Sequence, residues 1–260
     1  MSTIHGFLFQ VYPYICLTVL LVGSLIRFDQ NQYSWKSDSS QLLRPDLLRW
    51  GSNLFHAGIL FLFFGHLFGL FTPHALYGIF MSAGTKQLLA IIAGGIAGAI
   101  CFVGLTMLLY RRLADHRIRH TSHPSDIAIL VILWVQLTVG LITLPYSWGH
   151  RADGSVMLIL ADWAQRIVTL RPVDATALAT LPWPFLFHVV FGMTIFLLLP
   201  FSRLVHVWSG FAAVAYLFRP YQVVRSRRLN VPPGQNLPGQ PSAVPHPSTA
   251  AAIENPPAAR

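Results

Sequence analysis

SNLFHAGILFLFFGHLFGLFTPH, residues 52–74, decides the fold. It contains no Asp, Glu, Lys or Arg, and it is long enough to cross an apolar layer about 30 Å thick, which takes about 20 helical residues. Working outward from its apolar part, 53–72, four further stretches qualify, at roughly 7–26, 88–110, 127–146 and 185–206. Composition agrees: the 260 residues are 54% hydrophobic and 10% charged, which falls outside the usual range of soluble globular chains. The fold class expected is therefore all-α, an integral membrane bundle of five transmembrane helices. MSTIHGF, which precedes the first apolar run, carries no basic residue, and no small-residue cleavage site follows that run. The first stretch is thus expected to stay as a helix rather than to be removed as a signal peptide.

The formal net charge of +9 would suggest nucleic acid as a partner in a soluble protein. Here the cations fall between apolar runs, so membrane lipid is the partner expected and nucleic acid is not. One side of the membrane collects Arg27, Lys36, Arg44, Arg49, Arg111, Arg112, Arg117, Arg119, Arg203, Arg219, Arg225, Arg227 and Arg228; the other has Lys86, Arg151, Arg166 and Arg171. Positive residues stay inside. This puts the N-terminus outside and the C-terminus in the cytoplasm, in a multi-pass protein of the cell (inner) membrane. The outer loop, about 147–183, contains VMLILADWAQRIVTL, which reads as an interfacial helix too polar for a sixth span. Two regions are expected: a membrane domain over 1–228, and a disordered cytoplasmic tail over 229–260, where eight of the eighteen prolines fall. Cys16 and Cys101 lie in separate apolar runs without a C-x-x-C pattern and read as packing thiols.

Of eleven histidines, His56, His66, His188 and His206 fall within the predicted spans. An ionisable side chain at that depth is costly and marks a functional candidate; the plain alternative is a neutral imidazole bonded between helices. The second and fifth spans run in opposite directions, so like depths pair His56 with His206 and His66 with His188. Each pair can clamp one iron, and two imidazoles leave no open coordination position, which suits electron transfer. Zinc would more often take three or four close ligands. The spacing contains a discrepancy: His56 and His66 are about 15 Å apart along a helix, His188 and His206 about 27 Å. Straight helices cannot level both pairs, so tilted haems, unequal ligand reach or a bend at Pro200 is expected.

Smaller features have two readings each. Gly94, Gly95 and Gly98 offer a small-residue packing face. Gly58, Gly65 and Gly69 flank the second-span histidines and either pack closely or make room for a flat porphyrin. Arg111 and Arg112 either anchor the third span or meet haem propionates. Lys86 opens the third span on the cation-poor side, where it either snorkels to headgroups or binds a quinone oxygen.

The stretch 52–74 and HVVFGMTIFLLLPFSRLVHVWS at 188–209 resemble the gamma subunit, the cytochrome b subunit, of respiratory membrane-bound nitrate reductase. VYPYI at 11–15, GSLIRFDQNQYSWKSDSSQ at 23–41, and DGS followed by WAQ in the outer loop extend the likeness over roughly 4–228. The resemblance implies two b haems, with His56 and His206 on the inner haem iron and His66 and His188 on the outer. It also implies quinol as substrate beside the outer haem, near Gly65 and Lys86. Electrons would pass inward to an iron–sulfur beta subunit and a molybdenum-containing alpha subunit on the cytoplasmic side, where nitrate is reduced in anaerobic respiration. Many relatives carry a basic residue just before the first histidine of the fifth span, where this chain has Phe185, Leu186 and Phe187. Two alternatives remain: the cytochrome b anchor of a nitrite-oxidising or sulfur-metabolising complex, and a haem-free transporter.

Overall fold

The computed structural model describes residues 3–31, Ser34 and 45–209. The tail expected over 229–260, and Lys36, Arg44, Arg219, Arg225, Arg227 and Arg228 of the charge argument, lie outside the described residues. Every described element is helical, and five helices are long and apolar enough to cross a membrane: Thr3–Asn31, Asp46–Phe71, Ala83–Ala114, Pro124–Gly149 and Trp183–Phe201. They are called the first to fifth spans. The chain is an all-α multi-pass membrane protein.

Local sequence sets most helix ends. Pro45 and Asp46 open the second span, where a proline loses no hydrogen bond and a carboxylate faces the positive end of the helix dipole. At the third span, Ser82 accepts from Thr85 N at 3.1 Å, and Arg111 and Arg112 occupy the last turn. Asp115 then accepts from Arg117 N and Ile118 N, capping the short helix His116–Thr121 that leads to the fourth span. The first four helices run past the apolar stretches at one or both ends. Hydropathy marks the thickness of the lipid layer, whereas the hydrogen-bonded helix continues into polar surroundings until a cap stops it.

The fifth span departs in the other direction. The α-helix Trp183–Leu198 passes into a single tight turn, Leu199–Phe201, and the chain becomes extended at Ser202 (φ −115°, ψ 177°). A second tight-turn segment, Arg203–Trp208, carries His206. The α-helix thus does not run through the whole stretch 185–206: Pro200 has no N–H to continue the ladder, and the backbone breaks there, the place of one of the three expected adjustments.

The second and third spans meet through small residues. A Cβ on Gly58 would stand 2.6 Å from the Cβ and 2.7 Å from the Cα of Cys101, and one on Gly104 would collide with the backbone of Phe55. Only glycine permits that approach. Gly98 faces the fourth span, its missing Cβ 2.7 Å from the tip of the Leu141 side chain, which can move where a backbone cannot. The first span packs on the fifth, Gly23 lying against Pro200, and the fourth packs between the third and fifth. Cys16 and Cys101 are free, buried thiols.

The expected interfacial segment forms the helix Ser155–Val168. Fourteen residues reach about 21 Å, too short to span. Its apolar face packs Trp163, Ala164 and Ile167 on Phe9 of the first span and on Ala175 and Leu178. Trp163 Nε1 donates to Phe9 O at 3.0 Å. Apolar side chains on the spans such as Phe61, Phe64, Phe68 and Ile96 are exposed, which suits a chain whose solvent is hydrocarbon.

Candidate functional site

The four membrane histidines come together in the two expected pairs. The ring centroids of His56 and His206 are 6.4 Å apart with planes at 68°, and those of His66 and His188 are 6.1 Å apart at 32°. The backbones that carry them lean on other neighbours: the second span packs on the third and on the helix Ser155–Val168, the fifth on the first and fourth. The rings therefore reach toward each other across the space between two helices.

Three of the four rings are held by the same local device. Nδ1–H of His56 donates to Ser52 O at 2.7 Å, that of His66 to Leu62 O at 2.7 Å, and that of His206 to Arg203 O at 2.6 Å. A carbonyl can only accept, so Nδ1 carries a proton, and in the neutral tautomer that leaves the lone pair on Nε2. A backbone acceptor also fixes the ring and strengthens it as a ligand. His188 differs: its Nε2 faces Gln136 Nε2 at 3.4 Å, and its buried Nδ1 has no partner among the described residues.

At the His66 end, Lys86 is 9% exposed. Its Nζ donates to Thr72 O at 3.4 Å and stands 3.8 Å from the centroid of the Tyr77 ring. The ammonium is thus turned into the protein, against an aromatic face, rather than outward. The Tyr77 hydroxyl is buried without a partner among the described residues, and burial pushes its phenol up. Gly65 and Gly69 open onto space, since a Cβ at either would meet nothing within 4 Å; Gly58, by contrast, is a packing glycine. Gln165 Nε2 donates to Leu70 O at 2.8 Å, tying the helix Ser155–Val168 to the end of the second span.

The His56 end is basic. Arg112 donates to Ser122 Oγ at 2.9 Å and pairs with Asp126 at 3.4 Å; Arg203 pairs with the other oxygen of Asp126 at 3.5 Å. One carboxylate between two guanidiniums leaves one positive charge in excess. Arg111, 3% exposed, ends the third span beside them. Arg27 reaches from the first span to the break in the fifth, donating to Pro200 O at 2.6 Å and Ser202 O at 3.0 Å, and to Ser34.

Sequence reasoning passed over Gln136, Tyr77, Asp126 and the bonds made by Arg27. Gln136 had a signal, being an amide within the apolar run 127–146; the others meet their partners only through the fold. Among the described residues no group of three or more His, Cys, Asp or Glu is placed to hold a bare metal ion. What the site offers chemically is two pairs of imidazoles, one at the end that carries a buried lysine and one beside an arginine cluster.

Comparison with known proteins fits this arrangement. The family model described as nitrate reductase gamma subunit matches residues 5–227. Respiratory nitrate reductase 2 gamma chain of Escherichia coli (strain K12) is 50% identical over 226 residues, covering 86% of this chain and 98% of that protein. Respiratory nitrate reductase 1 gamma chain of the same organism is 45% identical over 227 residues, 87% of this chain and 100% of that one. Nitrate reductase gamma chain of Bacillus subtilis (strain 168) is 38% identical over 221 residues, 85% and 97%. The chain belongs to the nitrate reductase gamma subunits, the membrane cytochrome b subunits of that oxidoreductase.

Proposed function

We propose that the chain holds two b haems and oxidises quinol, supplying electrons to an iron–sulfur beta subunit and, beyond it, a molybdenum-containing alpha subunit that reduces nitrate. The observation that carries the proposal is the spacing of the rings. With each metal–nitrogen distance about 2 Å and each nitrogen about 1.2 Å from its ring centroid, two imidazoles that shared one metal would have centroids at most about 6.4 Å apart. The pairs stand at 6.4 and 6.1 Å. His56 with His206 and His66 with His188 would each hold one haem, which would supply a one-electron carrier at each pair.

The residues of the chain do the rest. His66 and His188 hold the outer centre, His56 and His206 the inner, about 15 Å further along the second span. Gly65, without a side chain beside His66, leaves space for a flat ring. Lys86 is placed to donate to a quinol oxygen from the same end, a charged donor being the stronger kind of hydrogen bond. Arg111 and Arg112 end the third span at the other end, and the excess positive charge there suits carboxylates such as propionates. The excess of cations on that side of the sequence supports a cytoplasmic reading of that end, with the N-terminus outside, 1–228 read as the membrane domain and 229–260 as a cytoplasmic tail. Protons released at the His66 end and electrons delivered at the His56 end separate charge, worth about 2.3 kcal/mol per elementary charge per 100 mV.

The test is the intact complex in membranes, reduced by a quinol analogue and followed by its b-type absorption. His66→Leu and His188→Leu are expected to remove one haem signal and abolish quinol-driven reduction. A transporter-like chain with no b-type bands, or an unchanged two-haem spectrum in both variants, overturns the reading.

A further inference from the structure

We infer that Gln136 of the fourth span is the positioning residue of His188, its amide oxygen accepting from His188 Nδ1–H when Nε2 binds iron. The inference rests on the haem reading above. His56, His66 and His206 each spend Nδ1–H on a carbonyl of their own helix. His188 does not, and its buried Nδ1 is left without a partner among the described residues. An imidazole that binds metal through Nε2 carries its proton on Nδ1, and a metal-ligating histidine almost always gives that proton to an acceptor. The acceptor must come from elsewhere.

Gln136 has the complementary defect. Its Nε2 donates to His188 O at 3.1 Å and stands 3.4 Å from His188 Nε2, while its buried Oε1 has no partner among the described residues. Iron and the amide N–H compete for the same lone pair on His188 Nε2, so a metal there displaces the amide. What remains is an unsatisfied donor on one side chain and an unsatisfied acceptor on another already touching it. Buried polar groups in such a position are expected to find each other.

Two glycines let the contact form. A Cβ at Gly140, one turn along the fourth span from Gln136, would stand 2.8 Å from His188 Cε1 and 3.3 Å from its Nδ1. A Cβ at Gly192, one turn along the fifth span from His188, would stand 3.1 Å from Gln136 Nε2. Ring, amide and two helix backbones share a space that any side chain at 140 or 192 would crowd. The outer ligand is therefore held by a neighbouring helix, and the other three by their own. It follows that a change at Gln136 alters one haem and leaves the other as it was.

An acceptor on Nδ1–H makes Nε2 the better donor to iron, which favours the ferric state and lowers the midpoint potential. The experiment is a potentiometric titration of the intact complex in membranes, read optically and by low-temperature electron paramagnetic resonance. His66→Leu, by removing one signal, identifies the outer haem. Gln136→Leu should raise the potential of that haem and Gln136→Glu should lower it, with the inner haem unmoved in both. Gly140→Ala should displace the ferric low-spin signal of the outer haem alone as the ring is forced to turn. The inference is overturned by an outer potential unchanged in both Gln136 variants, by shifts of the same sign, by both haems moving together, or by loss of the outer haem from Gln136→Glu, which keeps an acceptor. Wild-type membranes that lack two titrating b haems would instead overturn the haem reading itself.

Discussion

Arg27→Met is expected to weaken the inner pair while sparing the outer one. The residue lies on the first span, far in sequence from any histidine, yet its guanidinium donates to Pro200 O at 2.6 Å and Ser202 O at 3.0 Å. Both carbonyls lie at the break in the fifth span: Leu204 N, which a continuing helix would turn on Pro200 O, donates to Ser202 Oγ at 3.2 Å instead, and Ser202 O has one long backbone bond, from Val205 N at 3.5 Å. Four residues beyond Ser202, His206 meets His56. Methionine keeps the apolar stem and removes both donors. A hydrogen bond to a charged group contributes about 1.5–3 kcal/mol, so losing two costs roughly 3 kcal/mol even at the low end. At 1.4 kcal/mol per factor of ten, about a hundredfold loss in retention of the inner haem follows if the whole cost falls on the segment Arg203–Trp208. The assay is the b-type difference spectrum of the complex through mild heating, with the haems told apart by His56→Leu and His66→Leu. The inner signal should fade first in Arg27→Met, and Arg27→Lys, which keeps one charged donor, should lie between. Equal loss of the two haems, or a variant as durable as wild type, refutes the reasoning.

Three further outcomes follow from the geometry. Gly58→Ala should cost about 1–3 kcal/mol because its Cβ meets the Cys101 backbone, whereas Gly94→Ala, opening onto free space, should cost nothing; thermal unfolding of the purified complex compares them. Lys86→Ala should lower kcat/KM for quinol by roughly 10- to 100-fold, the value of one charged hydrogen bond, while both haems remain; unchanged quinol kinetics would return Lys86 to a structural role. Asp174 caps the short helix Ala175–Ala179, and hydrogen bonds from the Thr176 side chain and then its backbone N–H hold its carboxyl below the ordinary value of 3.8. Its contribution is thus full above that value and is lost only as pH falls through the lower folded-state pKa, so a carboxyl NMR titration midpoint at or above 3.8 would contradict the cap.

The sequence was legible where a residue's meaning depends on depth alone. Five apolar runs, a short amphipathic helix between the last two spans and four histidines at two depths can all be read without knowing what touches what. The break at Pro200 was legible as one of three ways, beside tilted haems and unequal ligand reach, to match two histidines about 27 Å apart on one helix with two about 15 Å apart on another. The end of the fifth span was not, since hydropathy continues through Phe201 and Val205 whether or not the backbone is still hydrogen-bonded. Partnerships were the main loss. Gly58 and Gly65 are indistinguishable in the sequence, yet one is pressed on Cys101 and the other opens onto space. Asp126, three residues into the fourth span, reads as an ordinary helix-start carboxylate, and only the fold sets it between Arg112 and Arg203. Lys86 could be narrowed to two roles by position, and its contact with the Tyr77 face shows it turned inward.

The central claim is that two pairs of histidines each hold one haem iron. Haem content per chain in the membrane complex, measured together with the low-temperature resonance of the oxidised form, tests it most directly. Two haems per chain are expected, both low-spin with two imidazole ligands, one lost in His66→Leu and the other in His56→Leu. One haem per chain, a high-spin centre in the wild type, or a histidine variant that retains both signals would contradict it.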